Sequence, residues 1–150
     1  MNERMQALKQ FLGLDLEEAK ELELFCDEKT IHYGNQEYLV LTDEEANEEA
    51  KNSIENSLWA FNSDFIIKHC KNYDEMNWYE YDAAVESLRE AQAHQCESLN
   101  GLVFALIDDI SEFIDDAICE DGRGHFISYY DGEEYEEIVN DTTYYIFRQN

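Results

Sequence analysis

An α+β fold is predicted: about three main α-helices packed on a small antiparallel β-sheet, the sheet built from an N-terminal hairpin and a C-terminal meander. Three features of the 150-residue chain point to it. Apolar residues recur at helical spacing through the middle, and β-rich runs around turn-forming residues stand towards both ends. Between the first run and the helical region, Thr42-Asp43-Glu44-Glu45 reads as a capping box, with the Thr42 hydroxyl and the Glu45 carboxylate serving the same helix start. With 44% hydrophobic and 13% aromatic residues, residues 1–150 read as a single acidic α+β domain without linkers or low-complexity tracts.

In chain order, residues 2–12 suit a short amphipathic helix through Met5, Leu8 and Leu12, and residues 16–21 suit a further turn or two. TIHY and EYLVL flank Gly34-Asn35-Gln36 and predict a hairpin over residues 29–41. Ala46, Ala50, Ile54, Leu58, Phe61 and Phe65 then predict a helix running from the capping box towards Lys68. A second long helix is predicted from about Tyr79 to Cys96, through Val85, Leu88 and Ala91, with Asn100-Gly101 as an interruption. A third carries Val103, Leu106, Ile107, Ile110, Phe113, Ile114 and Ile118 inward and stops at Asp121-Gly122, glycine being the natural left-handed residue past a helix end. HFISYY, EEIV and TTYYIFR, separated by Asp131-Gly132 and Asn140-Asp141, predict the C-terminal meander.

Charge is the outstanding property. Thirty-six acidic residues against ten basic ones give a formal charge of −26, which repels nucleic acid and anionic membranes and attracts a basic partner. The predicted third helix carries Asp108, Asp109, Glu112, Asp115, Asp116, Glu120 and Asp121 opposite its apolar stripe, and no Lys or Arg lies between Arg89 and Arg123. Like charges at i,i+4 cost roughly 0.2–0.5 kcal/mol per pair. Carboxylates at the negative end of the helix dipole are disfavoured by about 0.3–1 kcal/mol each. Solubility is met by a net charge of about 2–8, so a deficit this large points to recognition. Glu44, Glu45, Glu48 and Glu49 at the first long helix, and Glu133, Glu134, Glu136 and Glu137 at the C-terminal sheet, offer further acidic rows. Acids in a first helical turn also favour the dipole, so the Glu44 group has a structural explanation as well.

Cys26, Cys70, Cys96 and Cys119 lie far apart without a CxxC pair and are expected as buried free thiols. His69 beside Cys70 and His94 near Cys96 stand in helical stretches and not in the paired turns of zinc sites, so no metal and no cofactor is expected. In DGRGHFISYYDGEE, residues 121–134, Gly122 and Gly124 permit unusual backbone around Arg123, followed by His125, Ser128, Tyr129 and Asp131. On a regular strand Ser128 and Asp131 would face opposite ways, which disfavours catalysis. Arg123 is expected to pair with carboxylates and pin the helix end to the sheet.

EYLVLTDEEANEEAKNSIENSLWAFNSDFI, FIDDAI with EDGRGHFISYYDGEEYE, and the terminal YYIFRQN resemble a set of small acidic proteins encoded by tailed bacteriophages. The resemblance implies a phage origin and a bacterial host cytoplasm, and carries no catalytic residue across. The resembled set has no activity to carry across; by analogy of kind alone, small acidic phage proteins include DNA-mimicking inhibitors of restriction enzymes and anti-CRISPR proteins. The functional expectation is therefore a non-enzymatic inhibitor that fills the basic groove of a host CRISPR-Cas effector or restriction nuclease with carboxylates. It would bind that basic nucleic-acid-binding protein and neither nucleic acid nor membrane, with Tyr129 or Tyr135 adding contacts at the rim. A homo-oligomer is compatible with this reading. The alternative is a phage regulatory protein that docks a host or phage protein through an apolar or mixed surface, its acidity serving solubility. An enzyme built on Arg123, His125 and Asp131 ranks third.

Overall fold

The computed structural model describes residues 1–150. The fold is α+β, with seven α-helical segments and one five-stranded antiparallel sheet. The backbone forms two compact units, Met1–Lys51 with Asp121–Asn150, and Asn52–Glu120. No helix is long and apolar enough to cross a membrane.

The first unit holds the sheet, made of β1 (Leu22–Leu24), β2 (Thr30–Tyr33), β3 (Gln36–Leu41), β4 (Tyr135–Val139) and β5 (Thr142–Arg148), in the order β1-β2-β3-β5-β4. Gly34, at φ +60°, turns β2 into β3. Asn140 and Asp141, both at positive φ, make the tight β4–β5 turn that suits the right-handed twist of a hairpin. Period-two alternation then divides the side chains. Ile31, Tyr38, Val40, Tyr144 and Ile146 share a core with Ala7 and Leu8 of α1 (Glu3–Leu12). The Asn2 side chain caps α1 by accepting from the Met5 N–H at 2.9 Å, and Gly13 in the left-handed region ends it.

On the other face, the Arg123 guanidinium lies 4.5 Å from the ring centroid of Tyr145, which alternates with the inward Tyr144. This brings α7 (Arg123–Ile127) and the start of α2 (Asp43–Asn56) to that side, where Leu41, Ala46, Ala50, Phe126, Ile127 and Phe147 are buried. The predicted strand HFISYY is therefore a correction: its first residues complete α7 and the rest form a turn. Phe126 and Ile127 are both buried, as adjacent residues on a helix pressed between elements permit and alternation on a one-faced strand does not. The C-terminal element is thus a hairpin and not a meander, while β1 extends the N-terminal hairpin to three strands.

The second unit contains the end of α2, a 3-10 turn at Leu58–Ala60, α3 (Ser63–Lys68), α4 (Trp78–Gln95), α5 (Asn100–Leu106) and most of α6 (Ile110–Asp121). The helix expected to run from the capping box to Lys68 stops at Asn56. Its apolar stripe is real, since Ile54 and Leu58 are fully buried, but distant amides stabilise the break. Asn100 donates to the Glu55 carbonyl at 2.8 Å and accepts from the Trp59 N–H at 3.2 Å. Gln92 donates to the Trp59 and Phe61 carbonyls at 2.8 and 2.6 Å. Backbone groups released by ending a helix thereby find partners. The third predicted helix is likewise two, because Ile107 forms a β-bridge with Cys70 and the Asp108 N–H donates to the His69 carbonyl at 2.9 Å. Phe61, Phe65, His69 and Phe113 close this core, with ring centroids 4.9–5.6 Å apart in the range where aromatic pairs attract.

Candidate functional site

The acidic residues singled out by sequence separate, in three dimensions, into engaged and free carboxylates. α6 shows the division well. Asp108 precedes the helix instead of riding on it, and Asp109 is its cap, accepting from the Ser111 and Glu112 N–H groups at 3.0 and 3.2 Å. Glu112 then sits in the first turn, where the helix dipole favours a carboxylate. Asp108 therefore lies outside the expected i,i+4 row and Asp109 has a capping role, while Glu112 and Asp116 remain like charges four residues apart on the helix. Asp115, Asp116, Glu120 and Asp121 follow and are exposed; Glu120 and Asp121 stand in the last turn, where the dipole opposes carboxylates and no basic residue occurs. Asp116 alone meets a cation-capable group, His69 Nε2 at 3.2 Å.

On α2 the capping box forms as predicted: the Thr42 N–H donates to Glu45 Oε1 at 3.1 Å and Thr42 Oγ1 donates to the same oxygen at 2.8 Å. The Glu45 N–H reaches back to Thr42 Oγ1 at 3.4 Å. Glu45 also holds Arg4 at 2.8 Å and Lys29 at 3.1 Å. Burial raises its pKa, but the hydrogen bonds from Arg4, Thr42 and Lys29 outweigh that and bring it down to about 2. Glu45 is thus structural and does not belong to a free acidic row, whereas Glu44, Glu48 and Glu49 are exposed.

At the C-terminal sheet, Glu134 is removed from the free set by Arg123, which grips it through Nε at 2.9 Å and Nη2 at 2.8 Å. The same guanidinium donates to Asp43 Oδ1 at 2.8 Å and Asn47 Oδ1 at 3.0 Å. Arg123 accordingly pins α7 both to the start of α2 and to the segment entering β4, as its expected pairing role requires. Gly124 lets this junction close, since a Cβ there would lie 2.5 Å from the Gly132 carbonyl oxygen and 2.6–2.8 Å from the Glu133–Glu134 backbone. Glu133 and Glu136 remain exposed, while Glu137 is half-buried with the Gln10 amide at 3.4 Å.

Ser128 and Asp131, expected on opposite faces, instead meet at 2.8 Å across a turn. Asp131 also accepts from the Glu133 N–H at 3.0 Å and the Tyr135 hydroxyl at 3.0 Å. Partial burial opposes its ionisation, yet these bonds hold its pKa below the ordinary aspartate value. An ionised, saturated carboxylate stabilises a turn and is a poor proton acceptor. His125 is exposed with its ring against Phe126, while Arg123 and Asp131 serve separate networks. Tyr129 is exposed, and Tyr135 is half-buried against Phe11, 4.8 Å between centroids.

The thiol expectation is corrected too: Cys70 is buried, but Cys26, Cys96 and Cys119 are exposed. No three His, Cys, Asp or Glu side chains gather closely enough to hold a metal ion. Sequence reasoning missed two acidic groups. Asp82, Glu86 and Glu90 stand at i,i+4 spacing along α4, exposed, with only Arg89 paired to Glu86; that spacing was readable in the sequence. Asp15, Glu18 and Glu21 gather near Tyr33, whose phenol pKa is raised first by burial and then by these carboxylates. Their convergence on β2 had no local signal. No protein-family model, curated protein or solved structure matches this chain.

Proposed function

We propose that this chain is a bacteriophage-encoded, non-enzymatic inhibitor of a host nucleic-acid-binding defence enzyme, a CRISPR-Cas effector or a restriction nuclease. It acts in the host cytoplasm by presenting carboxylates to a basic groove in place of phosphates. The reading is carried by the exposed carboxylates of α6 beyond its first turn, Asp115, Asp116, Glu120 and Asp121, which have a single histidine contact among them. Carboxylates four residues apart on a helix rise by about 6 Å, against about 3.4 Å between phosphates along one DNA strand. Further rows are needed to approach the phosphate density; Asp82, Glu86 and Glu90 form another exposed row, on α4 of the same unit.

The test is capture from a host with intact defence systems on immobilised protein, washed at graded salt and eluted with duplex DNA. Replacing Asp115, Glu120 and Glu86 with Lys spares the cap at Asp109 and the His69 contact of Asp116. Steep loss of the captured enzyme with salt, elution by DNA and loss of capture by the variant are expected. Capture that survives both high salt and charge reversal would falsify the mimicry. The regulatory alternative draws on one observation: Trp78 and Tyr79, at the start of α4, are 80% and 67% exposed.

A further inference from the structure

α5 is the only α-helix of this chain without a charged side chain, and no ionisable group occurs from Asn100 to Ile107. Val103 and Ile107 anchor it in the core. Leu102 and Phe104, however, are 54% and 53% exposed, and Leu106 is 37% exposed. The fold makes no demand for apolar residues at solvated positions, and hydrated Leu and Phe surface is unfavourable. Its borders are acidic in sequence: Glu97 precedes the helix, Asp108 and Asp109 follow it, and all three are exposed. One cation lies beside it, Lys71, whose Nζ donates to the Ala105 carbonyl at 3.4 Å at the helix's negative end.

The geometry points to α5 as a docking site for a partner protein that presents an apolar helix face bordered by lysine or arginine. Charge complementarity selects this occupant: a second copy would set acidic border against acidic border, and two chains of charge −26 repel. An apolar centre that excludes water, inside a charged margin, is where interface residues contribute most to affinity. The inference rests on the acidic-recognition reading only for the sign of the partner's border.

The probe is a synthetic amphipathic helix with leucines on one face and arginines along its margins, titrated into isotopically labelled full chain and followed by NMR. Two control peptides replace the leucines with serine or the arginines with glutamine. The parent peptide should shift the amides of Leu102 to Leu106 and bind at least tenfold more tightly than the serine peptide. That advantage should vanish in a variant carrying Leu102→Gln and Phe104→Gln. Equal affinity for the parent and serine peptides, or shifts confined to other elements, overturns the inference, and the mapping on wild-type protein decides this even if the variant misfolds. Sedimentation showing a wild-type dimer dispersed by the same substitutions overturns it in favour of a second copy. If the glutamine peptide binds α5 as tightly as the parent at all salt concentrations, the basic border of the partner is overturned, while the acidic-recognition reading is decided separately by the salt and charge-reversal capture.

Discussion

Replacing Glu45 with Gln isolates the charge at the centre of the first unit, because glutamine keeps the capping-box hydrogen bond to Thr42 but cannot pair ionically with Arg4 or Lys29. The Glu45 carboxyl is lowered from 4.5 to about 2, and a shift of that size corresponds to about 3 kcal/mol of folding free energy. The side chain is 21% exposed, so solvent screening trims this only partly, and a loss of about 2–3 kcal/mol is expected at pH 7. For a chain of this length, about 2–4 °C of Tm accompanies each kcal/mol, giving a drop of roughly 4–12 °C. Since the folded pKa is depressed, the contribution is complete above about pH 4.5 and is lost as pH falls towards 2. Urea unfolding by far-ultraviolet circular dichroism should therefore show the wild-type advantage shrinking to less than about half by pH 3. An advantage below about 0.5 kcal/mol at pH 7, the scale of an ordinary surface change, would refute the reasoning. So would one that stays constant between pH 7 and pH 3.

Three other outcomes are expected. Gly124→Ala drives a methyl group into backbone at 2.5–2.8 Å, and should cost about 1–3 kcal/mol or more by the same unfolding assay. Asp109→Ala removes the α6 cap and should cost about 1 kcal/mol, whereas Glu120→Ala, in the last turn of that helix where the dipole opposes a carboxylate, should leave Tm unchanged or raise it. Tyr33 should titrate above the ordinary tyrosine value in an NMR pH series, and Glu18→Gln with Glu21→Gln should move it down; an unmoved midpoint would show that the two carboxylates do not act on it.

Elements whose cause is local were legible in the chain. The Thr42 capping box, the Gly34 and Asn140-Asp141 turns and the Asp121-Gly122 stop all satisfy backbone groups or torsions within a few residues, so their residues announce them. The stripe Ala46, Ala50, Ile54 and Leu58 was legible for the same reason, since burial follows helical period. What failed was continuity. The α2 break depends on amides from Gln92 and Asn100, the α5–α6 break depends on Cys70 and His69, and α7 depends on a cation and carboxylates many residues apart.

The sequence by itself determined that this chain is strongly anionic, α+β and rich in exposed carboxylates, because net charge and hydrophobic period are sums over residues and do not depend on where the chain goes. Only the tertiary structure decided which carboxylates are free. Glu45 and Glu134 became internal partners of Arg4, Lys29 and Arg123, Asp109 became a cap, and α5 emerged apolar and uncovered. Ion pairing and burial are set by distances of a few ångströms between residues far apart in the chain, and those distances exist only once it has folded.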